Sequence, residues 1–400
     1  MKYNFFRHKL YDGAVTYRMI NELESRYSVP LYIYNGDDAC RNAVEIQGYL
    51  GKAVRLCYAV KANCYLAEPL TDVIGDFEVS SRGELEYCLE NRIPAEKISY
   101  SGVWKTDPEV KAALDAGVKR FILDSARQIQ RMRKLAKEKV DVLLRLSSGN
   151  QFGMDIQEIA QIFMEQRRNP FVNIVGIHYY AGTQRQFVYQ IEKDFQPLKN
   201  GLAYLEEKGI RFSEIQLGGG MGIPLYQSDS IHTYEEMADY LFNFVGKLSE
   251  HYRVTYECGR AIASNAGRYI TKVFEKKKRE NREILLLQGG SHHLKYHGNI
   301  VGQKTPFIEC AAKKEQQGEQ TYTVCGSLCS AGDILAMKFL HSCVGIGDYM
   351  IFYHAGAYSM QEAASLFLLM EMPGILVYNG NNGGTKLLKL GWINCEKGNI

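Results

Sequence analysis

Neither charge is in excess in this sequence: 48 Lys and Arg stand against 45 Asp and Glu, a formal net charge of +3 over 400 residues. Nucleic-acid binding needs a basic stripe or patch, so no nucleic-acid partner is expected. Long apolar runs are missing too. The most apolar late stretch, Leu366 to Val377, is broken by Glu371 and Pro373 and is too short to cross a bilayer. No membrane partner is therefore expected. Met1 to Gly13 scatters its charges and lacks the apolar core of a secretory leader. The 10 cysteines are dispersed, and only Cys325 and Cys329 lie close, with no second pair to complete a metal site. Reduced thiols, a cytoplasmic location and no bound metal are the expectation. Fixed short repeats and low-complexity tracts are also lacking. With 46% apolar and 23% charged residues, the composition excludes disorder, a collagen-like fibre and a disulfide scaffold.

What is present is an alternation. Short apolar runs lie at Leu31–Tyr34, Val54–Val60, Phe77–Ser81, Ile98–Gly102, Arg120–Ser125, Asp141–Ser147, Ile174–Gly182, Glu214–Gly220 and Arg253–Arg260. Segments with helical i, i+3, i+4 spacing separate them, such as Asp107–Ala116 and Ser125–Glu138, with Asp124 or Ser125 as N-cap. This repetition predicts a (β/α)8 barrel over residues 30–268, with a doubly wound open sheet as the main competitor. After Gly267 the pattern changes to strands without regular helices: Tyr269–Val273, Glu283–Leu287, Gln320–Cys325 and Tyr349–His354. Residues 269–400, joined by 1–29, are expected to form a second, β-rich domain. The charge run Lys276–Arg282 reads as a solvated hairpin turn.

In a parallel barrel the chemistry sits at the C-terminal ends of the strands. Those ends carry Lys61, Glu78, Ser81, Arg145, His178, Tyr180, Gly218–Gly220, Glu257 and Arg260. Lys61 follows a buried run, where a desolvated amine suits Schiff-base chemistry; it also fits a lysine that has simply reached the surface. Three successive glycines let the backbone approach an anion, or make a tight turn. Glu257 beside Arg260 is a structural ion pair, or else a partner for a protonated ring nitrogen next to an anion-binding arginine.

The motifs YAVKAN (Tyr58–Asn63), FEVSSRGEL (Phe77–Leu85), LGGGMG (Leu217–Gly222), ECGR (Glu257–Arg260), CSAGD (Cys329–Asp333) and HAGAYSM (His354–Met360) resemble, in this order, the diaminopimelate and ornithine decarboxylase family. Members are pyridoxal-phosphate enzymes of the alanine-racemase-like barrel class, and the resemblance runs from about Val29 to Val377. It implies pyridoxal 5'-phosphate as cofactor, attached to Lys61. Glu257 would keep the pyridine nitrogen protonated, where the related racemases have an arginine. Gly218, Gly219, Gly220 and Gly259, with Arg260 and Tyr358, would bind the phosphate. Cys329, from the partner subunit of a homodimer with shared active sites, would protonate the carbanion. Arg260, Ser330, Asp333 and Tyr358 are the implied substrate contacts.

Two departures from the family bear on function. Where relatives carry a histidine stacked on the cofactor ring, this chain has Tyr180, with His178 two residues earlier on the same strand face. Diamine-type members follow the active-site cysteine with an acidic residue that meets the distal amine; here it is Ser330. The family's substrate-carboxylate arginine is missing from Gln288–Gly298, where His292, His293 or Lys295 stand as replacements. Ser359–Pro373 is apolar and suits either core and dimer interface or a larger substrate. The expected reaction is therefore α-decarboxylation of an amino acid or an amino-acid-derived compound, either a small molecule or an aminoacyl group on a carrier protein. The alternatives are meso-diaminopimelate decarboxylation to lysine, a racemase, and a non-catalytic regulator.

Overall fold

A computed structural model of the protein describes residues 2–7, 15–165, 170–280, 282–313 and 318–380, and the backbone pairing of 384–389. Cys395 and most of Met1–Gly13 fall outside the described residues. The chain divides into two compact units: Cys40–Ile223 with Ile231–Ile262, and Tyr3–Ala39 with Pro224–Ser230 and Ala263–Ile400.

Strand β1 (Leu31–Asn35) stands apart from the strands that follow it. The first unit is a closed parallel barrel of eight strands. These are β2 (Val54–Ala59), β3 (Asp76–Val79), β4 (Ile98–Tyr100), β5 (Arg120–Leu123), β6 (Val140–Leu146), β7 (Val172–Tyr180), β8 (Glu214–Gly218) and β9 (Arg253–Cys258). Closure comes from β2 against β9, in register from Val54↔Val254 to Tyr58↔Cys258. Apolar side chains fill most strand positions because helices cover the barrel's outer face.

Local chemistry sets where those helices begin. Ser81 accepts from the Glu84 N–H ahead of helix Arg82–Glu90, and Ser125 accepts from the Gln128 N–H ahead of Ala126–Leu135. Thr106 and Glu109 close a capping box on Asp107–Asp115. Each such cap contributes about 1 kcal/mol, and each fixes the point at which a loop of the barrel mouth turns into helix.

The second unit is built on a nine-stranded sheet. Its later strands are β10 (Gly267–Arg279), β11 (Arg282–Leu287), β12 (Ile308–Ala311), β13 (Gln320–Cys325), β14 (Ile334–His341), β15 (Tyr349–Phe352), β16 (Gly374–Asn379) and β17 (Gly384–Lys389). The main order is β14-β13-β11-β10-β1-β16-β17, with β15 pairing β10 and β12. The run Leu31–Tyr34, expected as the first strand of the barrel alternation, is thus β1 of this sheet, antiparallel to β10 and parallel to β16. Ile20, Ile270, Tyr349 and Ile351 form a core beneath it.

The charge run from Lys276 is more regular than a turn: through Arg279 it is strand, paired with β11 as far as Arg279↔Arg282. Leu366 and Leu369 are 66% and 68% exposed, so this part of Ser359–Pro373 is not core of its own unit. Among the described residues no helix is long and apolar enough to cross a membrane.

Candidate active site

Lys61 lies in a 3-10 turn, Val60–Ala62, immediately beyond β2. Its Nζ donates to Glu78 Oε2 at 2.9 Å and lies 5.7 Å from the centroid of the Tyr180 ring. Glu78, at the end of β3, is buried. Its other oxygen accepts from the hydroxyls of Ser80, at 2.8 Å, and Ser101.

Side chains two apart on β7 share its inner face, so His178 and Tyr180 both line the cavity at the barrel mouth. Tyr179, between them, is buried and packs 6.2 Å from Phe195. The cavity has a volume of about 370 Å³, and Lys61, Glu78, Arg145, His178, Tyr180 and Glu257 are among the residues that bound it. The Arg145 guanidinium sits 4.6 Å over the Phe152 ring.

Glu257, on β9, is clamped at one oxygen: Oε1 accepts from His178 Nε2 at 3.0 Å and from Gln216 Nε2 at 2.7 Å. Burial opposes its ionisation. The His178 ring outweighs this by charge and hydrogen bond, helped by Lys61 and Gln216, and the carboxyl is held down at about 2. It is therefore an anion at neutral pH inside a buried site.

The glycines after β8 and β9 leave space that no other residue would. A Cβ on Gly218 would meet Tyr180 Cδ2 at 2.4 Å, and one on Gly219 would meet Leu241 Cδ1 at 2.6 Å. Gly220 has a φ of +62°, and its Cβ would lie 2.3 Å from Gly182 O. At Gly259 the Cβ would come within 2.8 Å of Ala62 Cβ. Arg260 opens a short helix and is buried, with Nη2 3.5 Å from Thr183 Oγ1. An attachable amine, a buried anion for a ring nitrogen, an aromatic face and a bare glycine backbone for a phosphate fit pyridoxal phosphate.

The remaining predicted residues lie in the second unit. Cys329 is exposed, between β13 and β14. Ser330 Oγ accepts from the Gly332 N–H at 3.3 Å, which makes a tight local turn. Tyr358 adopts a φ of 65°. Asp333, expected to contact substrate, is 3% exposed, and its carboxylate accepts from the N–H groups of Ser291, at 2.7 Å, and Leu328, at 2.8 Å. A Cβ on Gly326 or Gly290 would strike it. Asp333 therefore holds the turn that presents Cys329 and is not free to meet a ligand.

Of the replacements for the missing arginine, His293 has both ring nitrogens engaged, with Tyr269 Oη at 2.9 Å and Glu371 O at 2.7 Å. Burial, with His292 beside it, pushes its pKa down to about 3. Lys295 pairs with Glu362 at 3.4 Å. The sequence reading assigned no role to Gln216 or to Ser101. The signal for Gln216 was its place one strand over from Glu257; Ser101 follows β4 with no motif around it.

Residues 38–264 match the pyridoxal-dependent decarboxylases, at their pyridoxal binding domain. The chain belongs to this family; it is a carboxy-lyase whose cofactor is pyridoxal phosphate. Similarity extends over the second unit. With the diaminopimelate decarboxylase of Methanocaldococcus jannaschii the chain shares 25% identity over 376 residues, 86% of this chain and 84% of that one. With the L-glutamyl-(BtrI acyl-carrier protein) decarboxylase of Niallia circulans it shares 25% over 393 residues, 90% and 92% of the two chains. The crystal structure of the M. jannaschii enzyme has the same fold, with a TM-score of 0.80 at 23% identity, covering 92% of this chain and 91% of that one.

Proposed function

We propose that this enzyme removes the α-carboxyl group of an amino-acid-derived substrate with no ammonium at its far end, and that the substrate is an aminoacyl group tethered to a carrier protein. Ser330 carries this reading. A neutral hydroxyl, already engaged with the Gly332 N–H, offers no charge to a distal ammonium. Leaving such a charge unpaired in a closed site costs about 3–5 kcal/mol, a factor of 10² or more in binding. The N. circulans relative, named for an acyl-carrier substrate, supports the tethered form. The rival substrate is meso-diaminopimelate, after the M. jannaschii relative.

Bound pyridoxal phosphate supplies the sink for the electron pair left on Cα as carbon dioxide departs. The chain's own residues do the rest. Lys61 Nζ, paired with Glu78 at 2.9 Å, would hold the cofactor. Glu257, kept ionised by His178 and Gln216, would hold a proton at the ring nitrogen. Tyr180 would offer its aromatic ring to the cofactor. The N–H groups of Gly218–Gly220 and Gly259, with Arg260, would take the phosphate. Arg145 offers a guanidinium to a substrate carboxylate. Cys329, reaching in from a second copy in a homodimer, delivers the proton to Cα; its exposed position leaves the thiol available for that. The described cysteines are all free thiols, which suits the cytoplasm.

Carbon dioxide release from the cofactor-loaded protein tests the substrate. Free meso-diaminopimelate, ornithine, lysine, arginine and glutamate should be inert, and a carrier-bound glutamyl or similar aminoacyl thioester should react. Turnover of free diaminopimelate at ordinary enzyme rates would overturn the reading of Ser330. Cys329→Ala should retain cofactor and lose clean amine formation, by about 10²–10⁴-fold for a positioned acid. An unchanged product and rate would remove Cys329 from the mechanism.

A further inference from the structure

Lys105 is a lysine buried in the barrel unit, only 3% exposed, just before the Thr106 cap. A buried ammonium is costly, and burial, only partly offset by Asp124, pushes its pKa down to about 7. If the site needed only volume, a methionine would fill it at less cost. The lysine's polarity is aimed at one target. Its Nζ donates to Ser101 O at 2.7 Å and to Gly102 O, the backbone of two residues that line the cavity.

Those carbonyls belong to a loop with no slack. Ser101 N–H donates to Val79 O at 2.8 Å, and a Cβ on Gly102 would lie 2.0 Å from Ser80 O. Gln128 Nε2 donates to Val103 O at 3.0 Å from the neighbouring helix. Held there, the Ser101 hydroxyl donates to Glu78 Oε1, which leaves Oε2 for Lys61. An unbroken series of hydrogen bonds thus runs from Lys105, through one loop and one carboxylate, to the active-site amine.

We propose that Lys105 is a positioning residue of the decarboxylase: it sets the 101–102 loop so that Ser101 fixes Glu78 against Lys61. The inference rests on Lys61 being the cofactor-binding lysine. Among the groups that bear on Lys61 are Glu78, Glu84, Glu257, Cys57 and the Tyr180 ring. Those that bear on Lys105 are Asp124, Arg145, Glu78, Glu109 and the Tyr100 ring, 5.9 Å away. Without the Lys105 anchor the Ser101 hydroxyl no longer holds Glu78 in place against Lys61, and an ammonium that loses its positioned carboxylate forms the reactive free amine at lower pH.

The test uses the full-length protein stripped of cofactor and offered pyridoxal phosphate. Covalent capture is followed by absorbance against pH, with thermal unfolding run alongside. Lys105→Met and Ser101→Ala should both move the midpoint of capture to lower pH by about half a unit or more, in folded protein. A folded Lys105→Met with an unmoved midpoint overturns the proposal, and so does an unmoved Ser101→Ala. Lys105→Gln, which keeps an amide donor, serves if the methionine variant does not fold; failure of both to fold also overturns it, since the lysine then acts on stability alone. Lys61→Ala separates the two readings. If it still captures cofactor, the assignment of Lys61 falls; if it does not, and the other variants behave as wild type, only the role of Lys105 falls.

Discussion

Replacing Lys61 with alanine abolishes covalent cofactor attachment and carbon dioxide release together. The amine stands at the end of a buried strand, 2.9 Å from Glu78 and beside Tyr180, and the cavity it faces also holds Glu257. No other lysine is among that cavity's lining residues. The glycine cradle and Glu257 remain in the variant, so cofactor still associates, reversibly and without the absorbance of a lysine adduct. Borohydride treatment of the wild type should fix the cofactor on the peptide that contains Lys61, and treatment of the variant should fix nothing. Rate should fall to the uncatalysed background if, as proposed, the lysine performs the covalent step itself. A variant that keeps a fixed, coloured cofactor would show that another amine does this work.

Glu257→Gln should cost on the order of 10²–10³ in kcat, the usual effect of deleting one preorganised electrostatic partner. Glutamine preserves shape and still hydrogen-bonds, but it cannot stabilise a proton on the ring nitrogen, so the loss isolates the charge. A fall of less than about tenfold would mean that the ring nitrogen is not protonated by this carboxylate. The same variant carries a pH signature in stability. The folded carboxyl sits near 2 against an ordinary value of 4.5, so the ionised form stabilises the fold above 4.5. That contribution is lost as pH falls from 4.5 towards 2. Wild type should therefore melt higher than Glu257→Gln at neutral pH, and the gap between their Tm values should narrow over that acid window.

Much of this site is visible in the primary structure, because a parallel barrel fixes where chemistry must stand. Strand and helix periods alternate clearly enough to mark each strand end, and Lys61, His178, Tyr180 and Glu257 are found at those ends lining one cavity. What escaped notice depends on pairs distant in sequence. Gln216 matters because β8 lies in register with β9, and Ser101 because β4 neighbours β3. Neither has a motif of its own. Asp333 shows the opposite error: a motif drew attention to a carboxylate that two backbone N–H groups already occupy. The Leu31–Tyr34 run misled by period alone, since a strand between two neighbours in a sheet reads like a barrel strand when both are buried.

The placement of β1 bears on how the protein is made. Leu31 pairs with Ile270 on one side and with Gly374 on the other. On the ribosome, all eight barrel strands are synthesised before either neighbour of β1. Leu31, Tyr32 and Tyr34, each 0% exposed in the finished molecule, wait without a partner strand for roughly 10–50 s at common rates of translation before β10 is made. During that interval they form an unpaired aromatic strand of the kind that chaperones bind and that aggregates recruit. The barrel can fold once β9 is out, while completion of the second unit waits for β16 and β17.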